Sequence, residues 1–198
     1  MNAPTRLNPD TYNPDASNPT TFNVTTFNPA ARVLHWLMAL MIIAMLFIGV
    51  GMMASVSARP WLIDLHRPLG IAILLLAVLR LRNRLRHRPP ALPSTLPQWQ
   101  KNAAHASHWL LYGLMLAMPL IGWATLSAGG FPVQMTPSFV LPPILPQDVV
   151  LYAVLRAAHG WLAYLLFATV LLHVSAALMH AWVHRDGVFG AMAKGGDE

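Results

Sequence analysis

Residues 159–173, HGWLAYLLFATVLLH, form the stretch that decides the fold of this chain. The stretch carries no Lys, Arg, Asp or Glu, and a histidine stands at each of its ends. On an α-helix, His159 and His173 lie within roughly 40° of each other around the axis and about 21 Å apart along it. Because a bilayer core is about 30 Å thick, one histidine is expected toward each side of a membrane. Polar side chains at such depths are costly and usually functional, so this helix is predicted to carry a functional site.

The composition of the chain also indicates a membrane protein. Of its 198 residues, 56% are hydrophobic and 10% are charged, whereas soluble domains carry about a quarter charged residues. The formal net charge is +6, but the basic residues cluster between apolar segments, which favours membrane topology over nucleic-acid binding. The chain has no cysteine, and this excludes disulfides, iron–sulfur clusters and thiolate ligation of haem.

Four apolar segments predict an all-α fold, an integral membrane four-helix bundle in which every helix spans the bilayer. The segments cover residues 33–54, 65–81, 103–126 and 149–183. The second segment is short, so its helix is expected to extend into the polar flanks, and Pro119 predicts a kink in the third. The fourth is long enough to tilt or to project beyond the bilayer.

These segments make up one membrane domain, residues 31–186, between two tails. Residues 1–30 are rich in Asn, Pro and Thr and lack apolar periodicity, so they are predicted to be a disordered tail. Residues 187–198 form a short C-terminal tail. The loop 127–148 is Pro-rich and apolar, and it either lies over the outer end of the bundle as a lid or rests on the bilayer.

The basic residues orient the chain in the membrane. The loop at residues 80–101, which overlaps the end of the second segment, holds six of them: Arg80, Arg82, Arg84, Arg86, Arg88 and Lys101. If all four segments span, four more lie on that side (Arg6, Arg32, Arg185 and Lys194), and only Arg59, Arg67 and Arg156 lie on the other. The positive-inside rule then predicts that both termini and the Arg-rich loop are cytoplasmic, where the loop meets anionic lipid.

The direction of each helix gives each histidine a depth. His35 lies near the inner start of the first helix, His66 near the outer start of the second, and the fourth descends from His159 to His173. The depths therefore pair His66 with His159 toward the outside, and His35 with His173 toward the inside. Each pair could ligate one haem iron between facing helices, and two imidazoles leave no open position for oxygen, which suits electron transfer.

Other interpretations of the histidines remain open. Any of them could be a hydrogen-bonded bundle histidine or an interfacial one, and a structural zinc site would need four ligands at one depth, which the paired depths separate. His180 lies near the same stripe and competes with the deeper His173 as the inner ligand. His105 and His108, at the inner start of the third segment, could replace His35 or border a quinone.

In four stretches the chain resembles the prokaryotic cytochrome b561 family of four-helix, di-haem membrane proteins. These are RVLHW, LHRPLGI, AHASHWLLYGLMLAMPLIGW and HGWLAYLLFATVLLHVSAALMH, one from each segment. The resemblance covers about residues 31–185. It implies two b-type haems with bis-histidine ligation, carried onto His35, His66, His159 and His173. It also implies electron exchange with ubiquinone in a bacterial inner membrane.

The resemblance implies more than one activity. Members of the family include a superoxide:ubiquinone oxidoreductase acting at the periplasmic face, and related cytochromes serve as electron carriers docked to a dehydrogenase or hydrogenase. Arg59, Arg67 and Arg156, which lie near Asp64 and Asp148, make the outer face locally cationic and could attract superoxide.

Several other side chains have candidate roles. Arg67 and Arg156 could instead pair with haem propionates, as Arg32 could at the inner haem. His105 and His108 are candidate proton relays for quinone reduction. A haem-free protein such as a small transporter is a third possibility, but such proteins usually carry intramembrane acidic residues and this chain has none.

Overall fold

The computed structural model describes residues 26–87 and 89–193. Four long helices run through this part of the chain: α1 (Pro29–Ala54), α2 (Arg59–Arg86), α3 (Gln98–Ala128) and α4 (Val149–Met179). Each is long and apolar enough to cross a bilayer, so the predicted all-α, four-helix membrane architecture is confirmed. Residues 1–25 of the predicted N-terminal tail lie outside the described residues, and α1 begins at Pro29, within the range assigned to that tail.

Local chemistry explains where the helices begin and end. Asn28 precedes α1, and its side chain accepts a hydrogen bond of 2.7 Å from the Ala31 N–H, while Asp148 does the same for the Leu151 N–H at 2.9 Å before α4. Helix α2 extends into its polar flanks as predicted, and its 28 residues exceed the about 20 that a bilayer core requires. Helix α3 continues through Pro119, and the predicted kink there stays a prediction.

The helices pack in chain order, α1 on α2, α2 on α3 and α3 on α4. The buried cluster between the first three helices consists of apolar side chains and one tyrosine: Met38, Ile42, Ile73, Ala77, Tyr112 and Met115. Many other apolar side chains face outward, including Phe47 at 74% exposure and Leu172 at 71%, as lipid-facing surfaces require. Among the long helices α4 packs closely on α3 alone, so its backbone stands apart from α1 and α2.

The loop after α3 contains a small hairpin that the sequence did not predict. Strand β1 (Val133–Thr136) pairs antiparallel with β2 (Phe139–Leu141), and β1 packs against α2 and α3. Trp123 Nε1 donates to the Pro142 carbonyl at 2.9 Å, and the Ile144 N–H donates to Ser127 Oγ at 3.1 Å. These bonds tie the loop to the C-terminal end of α3.

The chain folds back on itself after α4. A five-residue π-helical turn, His180–His184, follows α4, and then Arg185 (φ 49°) and Gly187 (φ 80°) take left-handed conformations that reverse the chain. Helix α5 (Val188–Ala193) therefore lies against the start of α1. Trp36 Nε1 donates to the Met192 carbonyl at 3.3 Å, and the Phe27 N–H donates to the Ala191 carbonyl at 3.1 Å. The segment expected to be a simple tail thus carries a short helix docked at the inner end.

Candidate functional site

The outer histidine pair joins α2 to α4. The ring centres of His66 and His159 lie 6.2 Å apart, with the ring planes at 66°. The Nδ1 atoms of both rings are buried and have no hydrogen-bond partner within the described part of the chain. Gly122 of α3 lies beside this pair, and a Cβ at that position would stand 3.3 Å from His159 Cε1. The absence of a side chain at Gly122 therefore makes room for the His159 ring.

The inner histidine pair joins α1 to α4. The ring centres of His35 and His173 lie 6.3 Å apart, with the ring planes at 71°. Both rings are partly buried. The structure thus brings together the same two pairs that helix direction and depth predict from the sequence, and each pair bridges helices whose backbones stand apart.

The spacing within each pair can be compared with that of two imidazoles on one metal ion. Imidazole nitrogens bind first-row metals at about 2 Å, and bonds of about 1.33 Å give a five-membered ring a radius of about 1.1 Å. Two rings on opposite sides of one metal ion therefore have centres about 6.2 Å apart. The observed 6.2 and 6.3 Å agree with this value, whereas His108 and His173 are closer, at 5.6 Å. The separations of the two predicted pairs are thus compatible with one metal ion between their rings, and the rings of His108 and His173 are closer than that.

In residues 26–87 and 89–193, no group of three or more histidine or carboxylate side chains is arranged to hold a metal ion. A structural zinc site takes four such ligands around one ion. Two separate pairs at two depths match a cofactor that supplies its own equatorial ligands, as haem does.

His180 is engaged away from the inner pair. Its Nδ1 lies 2.6 Å from Asp186 Oδ2, and its ring centre lies 5.2 Å from that of His184. Asp186 Oδ1 also accepts from the Val188 N–H at 3.2 Å. Burial raises the pKa of Asp186, but the hydrogen bonds from His180 and Val188 outweigh burial, and the net effect lowers that pKa. His180 therefore fixes the turn before α5, and His173 is the histidine of this helix that faces His35.

The two candidate proton relays occupy different environments. His108 is partly buried, and its ring faces His173. His105 is exposed, and its Nδ1 lies 2.7 Å from the Lys101 carbonyl oxygen one turn earlier. The structure brings His108 to the inner pair and leaves His105 at the surface.

The candidate propionate partners also differ in their contacts. The Nε atoms of Arg32 and Arg67 are buried and have no hydrogen-bond partner among the residues described. Arg67 Nη1 lies 3.8 Å from Asp64, a distance typical of a weak ion pair. Arg156 is exposed, and its Nη1 donates to the Tyr152 hydroxyl at 3.3 Å. Arg32 and Arg67 thus retain buried donors for an anion.

Two further arginines are placed at the inner end of the bundle. Arg80 Nε donates to the Tyr112 hydroxyl at 3.2 Å, and the Arg84 guanidinium lies 5.6 Å from the centre of the Tyr112 ring. Both side chains line a cavity that His108 also lines. The sequence alone predicts only that these arginines set the membrane topology. Their spacing of four residues, which puts them on one face of α2, was the available sign of a shared role.

Comparison with known proteins gives a family match that spans all four long helices and three similar bacterial proteins. The family model described as prokaryotic cytochrome b561 matches residues 26–195. The chain is 35% identical over 155 residues to the probable superoxide oxidase CybB of Yersinia pestis, a match covering 77% of this chain and 87% of that protein. It is 29% identical over 162 residues to cytochrome b561 homolog 2 of Escherichia coli (strain K12), covering 80% and 86% of the two chains. It is 27% identical over 163 residues to cytochrome b561 homolog 1 of the same organism, covering 77% and 88%.

Proposed function

Because the chain belongs to the prokaryotic cytochrome b561 family, we propose that it moves electrons from a donor outside the bacterial inner membrane to ubiquinone. Membership of the family makes the chain a membrane-spanning cytochrome that uses b-type haem to transfer electrons across the bilayer. The proposal adds the number of haems, their ligands, the donor and the acceptor. The observation that carries it is the presence of two histidine pairs, each at the spacing of bis-histidine ligation.

The proposed ligands are His66 and His159 for an outer haem, and His35 and His173 for an inner one. Haem held by two imidazoles supplies reversible one-electron transfer with no open position for oxygen. Because α4 contributes one ligand to each pair, the two proposed haem levels are about 21 Å apart along this helix. This distance covers most of the bilayer core. The pairing of His180 with Asp186 supports His173 as the inner ligand.

The proposed orientation puts both termini and the Arg-rich end of α2, which the sequence suggested was a loop, in the cytoplasm. Its support is the uneven charge distribution, since the outer side carries only Arg59, Arg67 and Arg156 against the arginine cluster at the C-terminal end of α2. With this orientation the hairpin lies on the periplasmic side, and α5 lies on the cytoplasmic side.

The proposed donor is superoxide. The support is the relative from Yersinia pestis, whose name describes it as a probable superoxide oxidase, together with the local positive charge of the arginines on the proposed outer face. A cationic surface raises the local concentration of a small anion and its rate of encounter. Arg59 and Arg156 are both exposed at this face, where they could attract superoxide. Arg67, with its buried Nε, is better placed to pair with a propionate of the outer haem.

The proposed acceptor is ubiquinone, whose reduction consumes two protons at the inner side. His108 is the better candidate for a proton relay, because it is partly buried beside the inner pair while His105 is exposed. The relay would be refuted if replacing both histidines left the rate of quinone reduction unchanged. Quinone reduction by His105→Ala alone is expected to match that of the unmodified protein.

A pulse of superoxide delivered to the purified, haem-loaded protein tests the proposed donor. We expect the haem absorption to change to that of the reduced form at a near diffusion-limited rate, and to return when ubiquinone is added. Added superoxide dismutase should abolish the change. Protein that stays oxidised during the pulse, yet is reduced by dithionite, would contradict superoxide as donor. That result would favour the alternative role of an electron-carrier subunit docked to a dehydrogenase or hydrogenase.

A further inference from the structure

A cavity at the inner end of the bundle presents two arginines that have no carboxylate partner among the described residues. It is lined mainly by polar, cationic and aromatic side chains: Phe27, Asn28, Ala31, Arg80, Asn83, Arg84, His87, Pro89, His108, Tyr112 and Met192. The three carboxylates within the described chain are Asp64, Asp148 and Asp186, and none of them lines the cavity. Two fixed positive charges without a counterion indicate a site for an anion.

Both guanidinium groups are held in position by aromatic rings. The Arg84 guanidinium lies 5.7 Å from the centre of the Trp109 ring and 5.6 Å from that of Tyr112. The Arg80 guanidinium lies 5.8 Å from the Tyr112 ring centre, and its Nε is committed to the Tyr112 hydroxyl. The other four N–H donors of Arg80 have no partner in the described structure. A pre-positioned, planar fork of donors is suited to bidentate binding of a carboxylate.

The surroundings of the cavity indicate which kind of anion it would bind. His108 lines it and also faces His173, so the cavity is next to the inner histidine pair. Phe27 and Met192 add apolar surface, which favours an anion attached to an apolar body over a hydrated ion. We propose that Arg80 and Arg84 bind the propionate carboxylates of the haem assigned to His35 and His173. This inference rests on the proposed function.

A redox titration of the holoprotein, followed by haem absorption, tests the inference. A guanidinium beside the propionates stabilises the reduced haem, because reduction removes one positive charge from the iron. Arg80→Gln and Arg84→Gln should therefore each lower the midpoint potential of one haem. We expect the equilibrium between reduced and oxidised inner haem to shift about tenfold, which is about 59 mV for a one-electron couple.

Matched variants separate this effect from a general change in charge. Arg82 is exposed on the same helix and does not line the cavity, so Arg82→Gln should leave both potentials unchanged. Arg80→Lys keeps the charge and should restore most of the shift. The haem whose potential moves should be the one that is lost in His173→Ala. If Arg80→Gln fails to fold, Arg84→Gln and Arg80→Lys still provide the comparison.

Other results would overturn the inference. Two bound haems with unchanged potentials in both glutamine variants would show that the cavity does not hold the propionates. Loss of co-purified anionic phospholipid in those variants, with unchanged potentials, would assign the cavity to a lipid phosphate instead. Haem counts are measured first: fewer than two haems in the unmodified protein would contradict the proposed function itself, before any variant is titrated.

Discussion

Gly122 is the position at which a single added methyl group should disturb the outer pair. A Cβ there would stand 3.3 Å from His159 Cε1 and 3.6 Å from His159 Nδ1, whereas ordinary van der Waals contacts begin at 3.4 Å. In Gly122→Ala the ring must therefore retreat by a few tenths of an ångström. Metal–ligand distances tolerate changes of only about 0.2 Å, so the retreat is as large as the tolerance. We expect weaker outer haem binding in Gly122→Ala, and loss of the outer haem in the bulkier Gly122→Val.

Gly113 provides the control for this experiment. It lies on the same helix, and a Cβ there would meet nothing within 4 Å. Replacing glycine by alanine within a helix stabilises it by up to about 1 kcal/mol, and this gain applies equally to Gly113→Ala and Gly122→Ala. Any difference between the two variants therefore comes from the contact with His159. Haem per chain and the absorption spectrum of the purified variants measure it. Two haems with an unaltered spectrum in Gly122→Val would refute the reasoning.

Three further results are expected. His173→Ala should lose the inner haem, whereas His180→Ala should keep both haems. Haem content is measured by absorption, and equal haem loss in the two variants would contradict His173 as the ligand. Because the pKa of Asp186 is lowered, its charged form stabilises the fold above about pH 4, and this stabilisation disappears as the pH falls through the lowered value. Asp186→Asn should accordingly lower the Tm by about 3 °C at pH 7 and by nothing at acid pH, and a deficit independent of pH would argue against this role. Arg156→Gln should slow haem reduction by superoxide a few-fold at low salt, with a smaller effect at high salt. Arg86→Gln, on the opposite side, should have no effect. Stopped-flow measurements at two ionic strengths give both rates, and equal rates for the two variants would contradict attraction of superoxide by Arg156.

The helices and the histidine pairs could be predicted because they depend on dimensions that are common to all membrane helices. Bilayer thickness and the rise of an α-helix determine how long an apolar segment must be, and the number of spans then sets the direction of each helix. The depth of each histidine follows from that direction alone. The sequence alone therefore predicts the pairing of His66 with His159 and of His35 with His173.

The remaining features depend on tertiary contacts that no local pattern reports. The hairpin is held by bonds such as that from Trp123 to the Pro142 carbonyl, and its strands are too short and Pro-flanked to show alternation. The fold-back of α5 depends on the left-handed conformation of Arg185, which is unusual for a side chain of that size. The contacts of Arg80 and Arg84 with Tyr112 could not be predicted, because a run of arginines is already explained by membrane topology.

The ratio of haem to protein in the purified chain, measured by extraction and absorption, tests the two-pair arrangement most directly. We expect two b-type haems per chain, with one lost in His66→Ala and the other lost in His35→Ala. One haem per chain, or two haems that both survive these substitutions, would contradict the assignment of the two histidine pairs.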